Sequence, residues 1–392
     1  MNWSKYLSSA FNSIAKKKLR NSKLDKRKTI SQIKKYVKLK QYIFKEWTPF
    51  LQEKKDGGYR PLISPPIKDR ILLKALADYC SNLLKPVFSK IDDISFAYQK
   101  GKGPREALIK LKSQFNHGEA IIKLDIQKFF NNINKDIVID LLKNFMPDEY
   151  AMSLIEKSLY PKLTHNEAYD LAMESIQNGI PQGNAVSAVL SNLYLLEFDL
   201  LCKSRNLRLI RYADDMVILV ENKDKAYEVL NFVEDYLRKE RGLSIHPISD
   251  GRKTSLYFLP QNPSLKYLGV VFDGNNLFPT LECQAILSKK IKSIAKNNSK
   301  TKTAKIKEIR KCVKQWCGYY AFTDLSKNRL KRLSISLNHN CQKYLGPYWS
   351  YIDLTEVFNH YKNKQNKKRL SIFDFKNNCH GEEFYWLYAF ES

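Results

Sequence analysis

Residues 209–220 read LIRYADDMVILV, and this segment gives the clearest indication of the fold. Two apolar runs rich in β-branched residues flank adjacent carboxylates, Asp214 and Asp215. The pattern predicts two paired strands with the acidic residues at their turn. Asp is a favoured turn residue, so an ordinary surface turn is one interpretation. The other is a divalent cation held between carboxylates, and the rest of the chain has to separate the two.

Composition predicts a folded protein without a membrane span. The chain has 392 residues, 43% hydrophobic and 12% aromatic, which suffices for one or more sizeable cores. No apolar run reaches the roughly 18 residues of a membrane helix. The first 20 residues place their charges after the apolar positions, unlike a secretory signal peptide. The seven cysteines lack zinc-knuckle spacing and predict reduced thiols. We therefore expect a cytoplasmic protein.

The net charge of +27 predicts a polyanionic partner, either nucleic acid or an anionic membrane. Segment 16–40 carries twelve Lys/Arg against one Asp, and segment 289–314 carries eleven against one Glu. A third basic cluster covers 361–370. Solvated helix faces usually mix both signs, so these runs favour contacts with phosphates. A basic amphipathic membrane helix over residues 1–20 is the alternative for that segment.

The order of predicted elements points to an α+β fold. A strand at 119–130 is followed by helices, the Asp214–Asp215 hairpin, an amphipathic helix at 223–243 and a hairpin at 265–279. This order describes a ferredoxin-like antiparallel sheet backed by helices on one face. Upstream, Asp56-Gly57-Gly58 predicts a hairpin turn. Segments 67–88 and 183–206 predict helices, and the aromatic tail 382–392 is expected to dock on the body.

In such a sheet, Asp125 would end the first strand beside the Asp214–Asp215 turn. Asp125 alone reads as an ordinary strand-end residue, but three carboxylates at one place need cations. Hard oxygen ligands without His or Cys suit Mg²⁺. Two such ions about 4 Å apart can activate a hydroxyl and stabilise a leaving phosphate oxygen.

The motifs resemble those of reverse transcriptases, in order and over nearly the whole chain. YADD between apolar runs resembles their active-site hairpin, and the group II intron and retron-like branch is the nearest likeness, above all its stand-alone, defence-associated members. The other matching segments are YRPLISPPIKDRILLKAL (59–76), SFAYQKGKGPREAL (95–108), KLDIQKFFNNI (123–133), GIPQGNAVSAVLSNLYLLEFD (179–199), GLSIHPISDGRKTSLYFL (242–259), LKYLGVVFD (265–273) and KCVKQWCGYYAF (311–322).

The resemblance implies a right-hand polymerase with three regions. Residues 1–50 would be a basic helical N-terminal extension. Residues 51–280 would form the fingers and a ferredoxin-like palm. Residues 281–392 would form a helical, maturase-type thumb and tail.

The resemblance also implies a catalytic centre. Asp125 and Asp214 would ligate two Mg²⁺ ions, with Mn²⁺ as a substitute and the Ile126 carbonyl as a backbone ligand. Asp215 would support the site less directly.

Further roles follow from the same resemblance. Phe130 would be the sugar gate that excludes a ribose 2′-hydroxyl, and Lys253 would help to protonate pyrophosphate. Gln182 and Gly183 would line the pocket for the incoming nucleotide. The triphosphate would meet Arg60, with Lys68 and Arg70 as further candidates. Tyr212, Leu268 and Gly269 would meet the primer.

Some features narrow the class. The intact Gln182 argues against a diversity-generating retroelement enzyme, and GNAVSAVLSN at 183–192 departs from ordinary intron proteins. The sequence after the thumb region lacks an endonuclease-like Cys/His spacing. We therefore expect a compact enzyme that copies a dedicated noncoding RNA into DNA from dNTPs and a primer during phage defence, with a protein partner or as a homo-oligomer. A retron or retroelement enzyme, an untemplated or protein-primed polymerase, and a non-catalytic RNA-binding scaffold are the alternatives.

Overall fold

The computed structural model describes residues 1–14, 25–54, 57–248, 253–259 and 264–367. Several predicted features lie outside these ranges. They are Asp56 of the predicted turn, residues 16–24 of the first basic segment, residues 368–370 of the third basic cluster, Cys379 and the aromatic tail 382–392. The chain divides into two compact units. One comprises Met1–Ala107 and Gly118–Phe258; the other comprises Leu108–His117 and the C-terminal part from Leu259.

The first unit begins with helices and a two-stranded hairpin. Asn2 and Asp25 cap the first two helices by accepting backbone N–H groups of Lys5 and Lys28. The elements are α1 (Trp3–Ser13), α2 (Lys26–Lys38), β1 (Thr48–Glu53), β2 (Tyr59–Ser64), α3 (Ile67–Leu83) and α4 (Lys85–Phe88). Strands β1 and β2 pair antiparallel.

The remaining elements of the first unit build a sheet and its helices. In chain order they are α5 (Pro104–Gln114), which crosses into the second unit, β3 (Ala120–Asp125), α6 (Phe129–Asn132), α7 (Lys135–Lys143), α8 (Glu149–Ser158), α9 (Tyr169–Gln177), α10 (Ala185–Tyr194), α11 (Leu196–Ser204), β4 (Arg208–Tyr212), β5 (Asp215–Val220), α12 (Lys223–Arg241) and β6 (Ser255–Phe258).

The sheet has the strand order β4-β5-β3-β6, with every neighbouring pair antiparallel. A β-α-β-β-α-β chain order with this arrangement is ferredoxin-like, so the predicted fold class is confirmed. Strand β3 is central, and Ile121 and Ile122 are fully buried on its opposite faces. Helix α12 packs against β3 and β5. Because side chains alternate along a strand, Lys123 and Asp125 share the face of Ile121.

The predicted helix over 183–206 is interrupted. Helix α10 ends at Tyr194 and α11 begins at Leu196, with Leu195 outside helical geometry at φ −96° and ψ 1°. The stretch Ala185–Ser204 is long and apolar enough to cross a membrane, yet its apolar window is 72% buried inside the fold. Such burial is typical of the core helix of a folded protein.

The second unit combines a small sheet with helices. Its elements, beyond most of α5, are β7 (Leu265–Tyr267), β8 (Val270–Phe272), β9 (Leu277–Pro279), α13 (Leu281–Lys296), α14 (Lys302–Tyr320), α15 (Lys327–Leu345) and α16 (Leu354–Lys367). The units separate after Phe258, earlier than the predicted boundary at residue 280. The predicted 265–279 hairpin is a three-stranded sheet of its own within this unit.

Candidate active site

Sheet pairing brings three carboxylates to one end of the first unit. Asp125 is the last residue of β3, and it pairs directly with Asp215, the first residue of β5. Directly opposed residues of antiparallel strands project to the same face of the sheet. Asp214 precedes Asp215 in the turn between β4 and β5. The predicted approach of Asp125 to the Asp214–Asp215 turn is therefore present, and the role of the three residues in metal binding stays a prediction.

The turn that carries Asp214 is tight. Tyr212 and Asp215 are paired across the hairpin, so Ala213 and Asp214 alone make the connection. Ala213 has a φ of 56°, in the left-handed region that residues with a Cβ seldom occupy. Arg211 holds this conformation by donating from Nη1 to the Ala213 carbonyl at 3.1 Å. Sterically unfavourable backbone of this kind concentrates at functional sites.

Burial and neighbouring carboxylates raise the pKa of two of these residues, Asp214 and Asp215. Burial, followed by the charge of Asp125, raises the pKa of Asp214 to about 6. Burial and the charges of Asp125 and Asp214 raise the pKa of Asp215 to about 8. Both side chains are half-buried, so water screens their repulsion only in part. The site therefore favours cations at this end of the sheet.

Cationic side chains surround the carboxylates. Lys253 Nζ lies 3.5 Å from Asp125 Oδ2, and its charge lowers the pKa of both Asp214 and Asp215. Arg60 lowers the pKa of Asp214, and Lys123 lowers that of Asp215. These three cations partly offset the negative charge of the carboxylates. The site stays accessible to solvent at Lys253, whose side chain is 38% exposed.

The donor set fits divalent metal ions. Among the residues that the structure describes, no group of three or more His, Cys, Asp or Glu side chains is arranged to hold a metal ion by itself. Mg²⁺ does not need one, because it commonly binds through one or two carboxylates plus substrate phosphates and water. Asp125, Asp214 and Asp215 supply hard oxygen ligands. The pKa values of Asp214 and Asp215 are raised by burial and, second, by neighbouring carboxylate charge, which a bound cation would offset.

Protons should compete with metal for this site. Because the pKa values of Asp214 and Asp215 are raised to about 6 and about 8, acidification through this window protonates both. We expect the Mg²⁺ concentration that half-saturates activity to rise as the pH falls from 8 to 6, by up to about tenfold per pH unit. Rates measured against Mg²⁺ at pH 6, 7 and 8 test this. Equal half-saturation at all three pH values would contradict it.

The chain after Asp125 is fixed by a neighbouring segment. The Asp125 carbonyl accepts from His246 N at 3.0 Å, and Gln127 N donates to the Ser244 carbonyl at 2.8 Å. These two bonds flank the isolated bridge between Ile126 and Ile245. They use the Asp125 carbonyl and the Gln127 N–H rather than the Ile126 carbonyl. The proposed role of that carbonyl as a metal ligand stays a prediction.

The predicted nucleotide pocket is a set of backbone contacts between distant segments. The Phe130 carbonyl accepts from Ile180 N, and the Gln182 carbonyl accepts from Ile63 N, both at 2.8 Å. The Gln182 side chain donates to Asn131 Oδ1 at 3.2 Å. Gly183 has a φ of 103°. Segment 130–131 is therefore bonded to segment 180–182, and β2 is bonded to the Gln182 carbonyl.

The predicted triphosphate ligands differ in their surroundings. Arg60, on β2, is close enough to influence the pKa of Asp214. Lys68 donates to Gln32 Oε1 at 2.9 Å. Arg70 donates to Ser64 Oγ at 2.6 Å and to the Pro65 carbonyl. Lys68 and Arg70 thus bond to neighbouring groups of the protein, and Arg60 is the one of the three whose charge lowers the pKa of Asp214.

The predicted primer contacts fall in both units. Tyr212 is half-buried at the end of β4, directly before the acidic turn. Leu268 and Gly269 form the two-residue turn between β7 and β8, with φ values of 49° and 74°. Positive φ at both central positions is the pattern of a type I′ hairpin turn. Their roles at a primer end stay predictions.

Three contributors were not found from the sequence. Lys123 could have been predicted, since strand periodicity places it on the same face of β3 as Asp125. His246 lies 3.2 Å from Lys253 Nζ and 3.8 Å from Asp125 Oδ2. Arg211 supports the turn from a fully buried position. The last two depend on contacts across the fold that no local pattern predicts.

Comparison with known proteins identifies a family. The family model described as "Reverse transcriptase (RNA-dependent DNA polymerase)" matches residues 52–272. The uncharacterized 91 kDa protein in the cob intron of Schizosaccharomyces pombe is 29% identical over 172 residues, 43% of this chain and 20% of that protein.

Two bacterial proteins show a similar relationship. The group II intron-encoded protein LtrA of Lactococcus lactis subsp. cremoris is 27% identical over 150 residues, 38% of this chain and 24% of LtrA. Protein YkfC of Escherichia coli is 26% identical over 153 residues, 37% of this chain and 38% of YkfC. The matches therefore cover well under half of each relative.

Among solved structures, telomerase from Candida albicans with a fragment of telomeric RNA overlaps 92% of this chain and 68% of that one, at 9% identity and a TM-score of 0.43. Apo telomerase from Candida tropicalis has a TM-score of 0.41 at 11% identity. The family assignment rests on the sequence match over residues 52–272.

Proposed function

The chain belongs to the reverse transcriptase family and is an RNA-directed DNA polymerase, and on that premise we propose that Asp125, Asp214 and Asp215 form its catalytic centre. The observation that carries the proposal is the direct pairing of Asp125 with Asp215 beside the Asp214 turn. Around it, the β1–β2 hairpin and its flanking helices would serve as fingers. The four-stranded sheet would serve as palm, and helices α13–α16 as thumb.

The carboxylates would hold the metal ions of the reaction. Asp125 and Asp214 are proposed as ligands of two Mg²⁺ ions, for which Mn²⁺ can substitute, with Asp215 supporting them. When bound, such a pair activates the primer 3′-hydroxyl and neutralises the leaving pyrophosphate. The Arg211 bond to the Ala213 carbonyl and the His246 bond to the Asp125 carbonyl keep two of these ligands in place.

The cations beside the carboxylates would handle the triphosphate. Arg60 would pair with phosphate oxygens, since a guanidinium binds them through two parallel N–H groups. Lys253 contacts Asp125, and its side chain, which is 38% exposed, can turn towards a phosphate. There its ammonium would donate a proton to the leaving pyrophosphate, as a general acid. His246 lies beside Lys253 and would limit the range of its positions.

Phe130 would select deoxyribonucleotides. Its ring is half-buried beside that of Phe129, at 5.5 Å between centroids, and its carbonyl is fixed by Ile180. We expect Phe130→Ala to raise ribonucleotide incorporation by roughly 10- to 100-fold, because removal of the ring frees space for a 2′-hydroxyl. Single-nucleotide incorporation of dNTP and rNTP measures the ratio. Phe130→Tyr keeps the ring and should keep the preference. An unchanged ratio in the alanine variant would refute the role.

The second unit offers a surface for a phosphate backbone. Lys289, Lys292 and Lys296 recur at helical spacing along α13, and all three are exposed. Exposed Tyr348 carries Lys302 above its ring at 4.2 Å. Basic residues interleaved with an exposed aromatic ring fit a nucleic acid, through phosphate pairing and base stacking. This surface supports binding of an RNA template and its DNA product.

The biological setting is proposed from departures in the motifs. The intact Gln182 and the sequence GNAVSAVLSN differ from retroelement and ordinary intron enzymes, respectively. We propose that the enzyme copies a dedicated noncoding RNA in the cytoplasm during defence against phage. Sequencing of the nucleic acid that copurifies from cells identifies the template. A heterogeneous RNA pool, or no protection in phage plating assays, would contradict this setting.

Primer extension tests the activity itself. The full chain is given a defined RNA template, a DNA primer, dNTPs and Mg²⁺, and the product is sequenced. DNA complementary to the template is the expected result. Product unrelated to the template would indicate untemplated synthesis, and product linked to the protein would indicate priming from a tyrosine. RNA binding without any product would leave only a scaffold.

A further inference from the structure

We propose that Arg211 is a positioning residue for polymerisation, which sets the place of the Ala213–Asp214 turn from inside the fold. The inference rests on the proposed catalytic role of Asp214. It adds a residue that makes no contact with substrate and acts through the backbone of the turn.

The Arg211 guanidinium is fully buried and completely bonded. Nε donates to Asp199 Oδ1 at 2.8 Å, and Nη2 donates to Asp199 Oδ2 and to Ser95 Oγ, the latter at 3.1 Å. Nη1 donates to Asn192 Oδ1 and to the Ala213 carbonyl, both at 3.1 Å. A guanidinium has five N–H groups, and these five bonds use all of them.

This arrangement leaves the guanidinium one orientation. Asp199 is also fully buried, so the pair is held by a bidentate contact that neither partner can leave without exposing a bare charge to the core. Asn192, which accepts from Arg211, is itself held in place because its Nδ2 donates to the Ala97 carbonyl at 2.8 Å. Any rotation that released the Ala213 carbonyl would break several other bonds at once.

The backbone of Arg211 is clamped as well. Its N–H donates to the Ile94 carbonyl at 2.8 Å, and its carbonyl accepts from Phe96 N at 2.9 Å. Segment 94–96 therefore lies along the edge of β4. The side chain and backbone of Arg211 together hold two parts of the hairpin in place. These are the end of β4, which leads into the turn, and the Ala213 carbonyl within the turn.

The fixed carbonyl belongs to the residue with unfavourable backbone geometry. Ala213 has a φ of 56°, and Asp214 follows it directly. Without the bond from Nη1 the turn could relax, and the Asp214 carboxylate would shift with it. A displacement of about 1 Å in a catalytic group can cost about 100-fold in rate.

Arg211→Lys is the informative variant. An ammonium retains the charge opposite Asp199, but it has three donors in a compact head and cannot span Asp199, Ser95 and the Ala213 carbonyl. We expect kcat for primer extension to fall about 100-fold and the half-saturating Mg²⁺ concentration to rise. Affinity for the RNA template should be unchanged.

Arg241→Lys is the matched control. Arg241 is 6% exposed and donates to the Tyr194 and Glu240 carbonyls and to Glu197, so it is another buried, multiply bonded arginine of the first unit. Its bonds join α12 to α10 and α11 rather than to the catalytic turn. Both variants should lose similar thermal stability, but Arg241→Lys should keep its kcat and Mg²⁺ dependence.

The outcomes separate the two proposals. Equal kcat and equal Mg²⁺ dependence in the two lysine variants would reduce Arg211 to a packing role and overturn this inference alone. An inactive wild type would overturn the proposed function together with it. If Arg211→Lys does not fold, Ser95→Ala removes one of the five acceptors, and a several-fold fall in kcat with weaker Mg²⁺ saturation is expected. Wild-type kinetics in Ser95→Ala would overturn the inference.

Discussion

Replacing Asp214 or Asp215 by alanine should abolish DNA synthesis while RNA binding persists. Loss of a metal-ligating carboxylate removes several kcal/mol of transition-state stabilisation, so we expect a fall of about 1,000-fold or more in kcat. RNA affinity comes mainly from Lys and Arg contacts with phosphates and should change little. Primer extension and filter binding on the same preparations measure the two properties.

Thermal unfolding shows whether such a loss reflects misfolding. Because the pKa values of Asp214 and Asp215 are raised in the folded chain, their ionised forms destabilise it near neutral pH. Each alanine variant should therefore keep or slightly raise the melting temperature in metal-free buffer. Asp235→Asn, which changes an exposed carboxylate on α12, is the control and should keep full activity. Near-normal synthesis by both alanine variants would contradict the site assignment.

Gly183→Ala should reduce catalytic efficiency nearly as much as loss of a catalytic carboxylate. A Cβ on Gly183 would lie 2.3 Å from the Ile63 carbonyl oxygen, so the backbone of β2 would have to move. That movement would displace Gln182, which is bonded to Ile63, and with it the pocket near Phe130. We expect kcat/KM for the incoming dNTP to fall about 100-fold, measured by single-nucleotide incorporation.

Gly118→Ala separates backbone strain from the steric clash. Gly118 has a φ of 93°, close to the 103° of Gly183, but no heavy atom of the described residues lies within 4 Å of its ideal Cβ. Both variants should lose about 1–3 kcal/mol of stability through the unfavourable φ. Only Gly183→Ala should lose catalytic efficiency as well. Similar kinetics in the two variants would show that the approach of Gly183 to β2 does not matter.

The sequence predicts most of the sheet and the place of the carboxylates. The apolar runs around Asp214 and Asp215 predict paired strands, and the alternation of elements indicates a ferredoxin-like order. Asp125 could then be placed opposite them, because β3 is a buried strand that ends at that residue. These predictions depend on local periodicity and turn chemistry, which a single sequence records.

Other features depend on partners that are distant in the chain. Strand β6 was not predicted, since the four residues Ser255–Phe258 gain strand geometry from pairing with β3. Segment 265–279 was expected in the palm; among the described residues its strands form a separate three-stranded sheet in the second unit. The Arg211 network is of the same kind, because Ser95, Asn192 and Asp199 lie on three separate segments.

The central claim is that Asp125, Asp214 and Asp215 together hold the metal ions of polymerisation. Electron paramagnetic resonance of Mn²⁺, titrated into the full chain with an RNA–DNA template–primer and a non-hydrolysable dNTP analogue, tests it most directly. We expect two tightly bound ions per chain in the wild type, and loss of at least one in both Asp125→Asn and Asp214→Asn. Two tightly bound ions in each of these variants, with unchanged affinity, would contradict it.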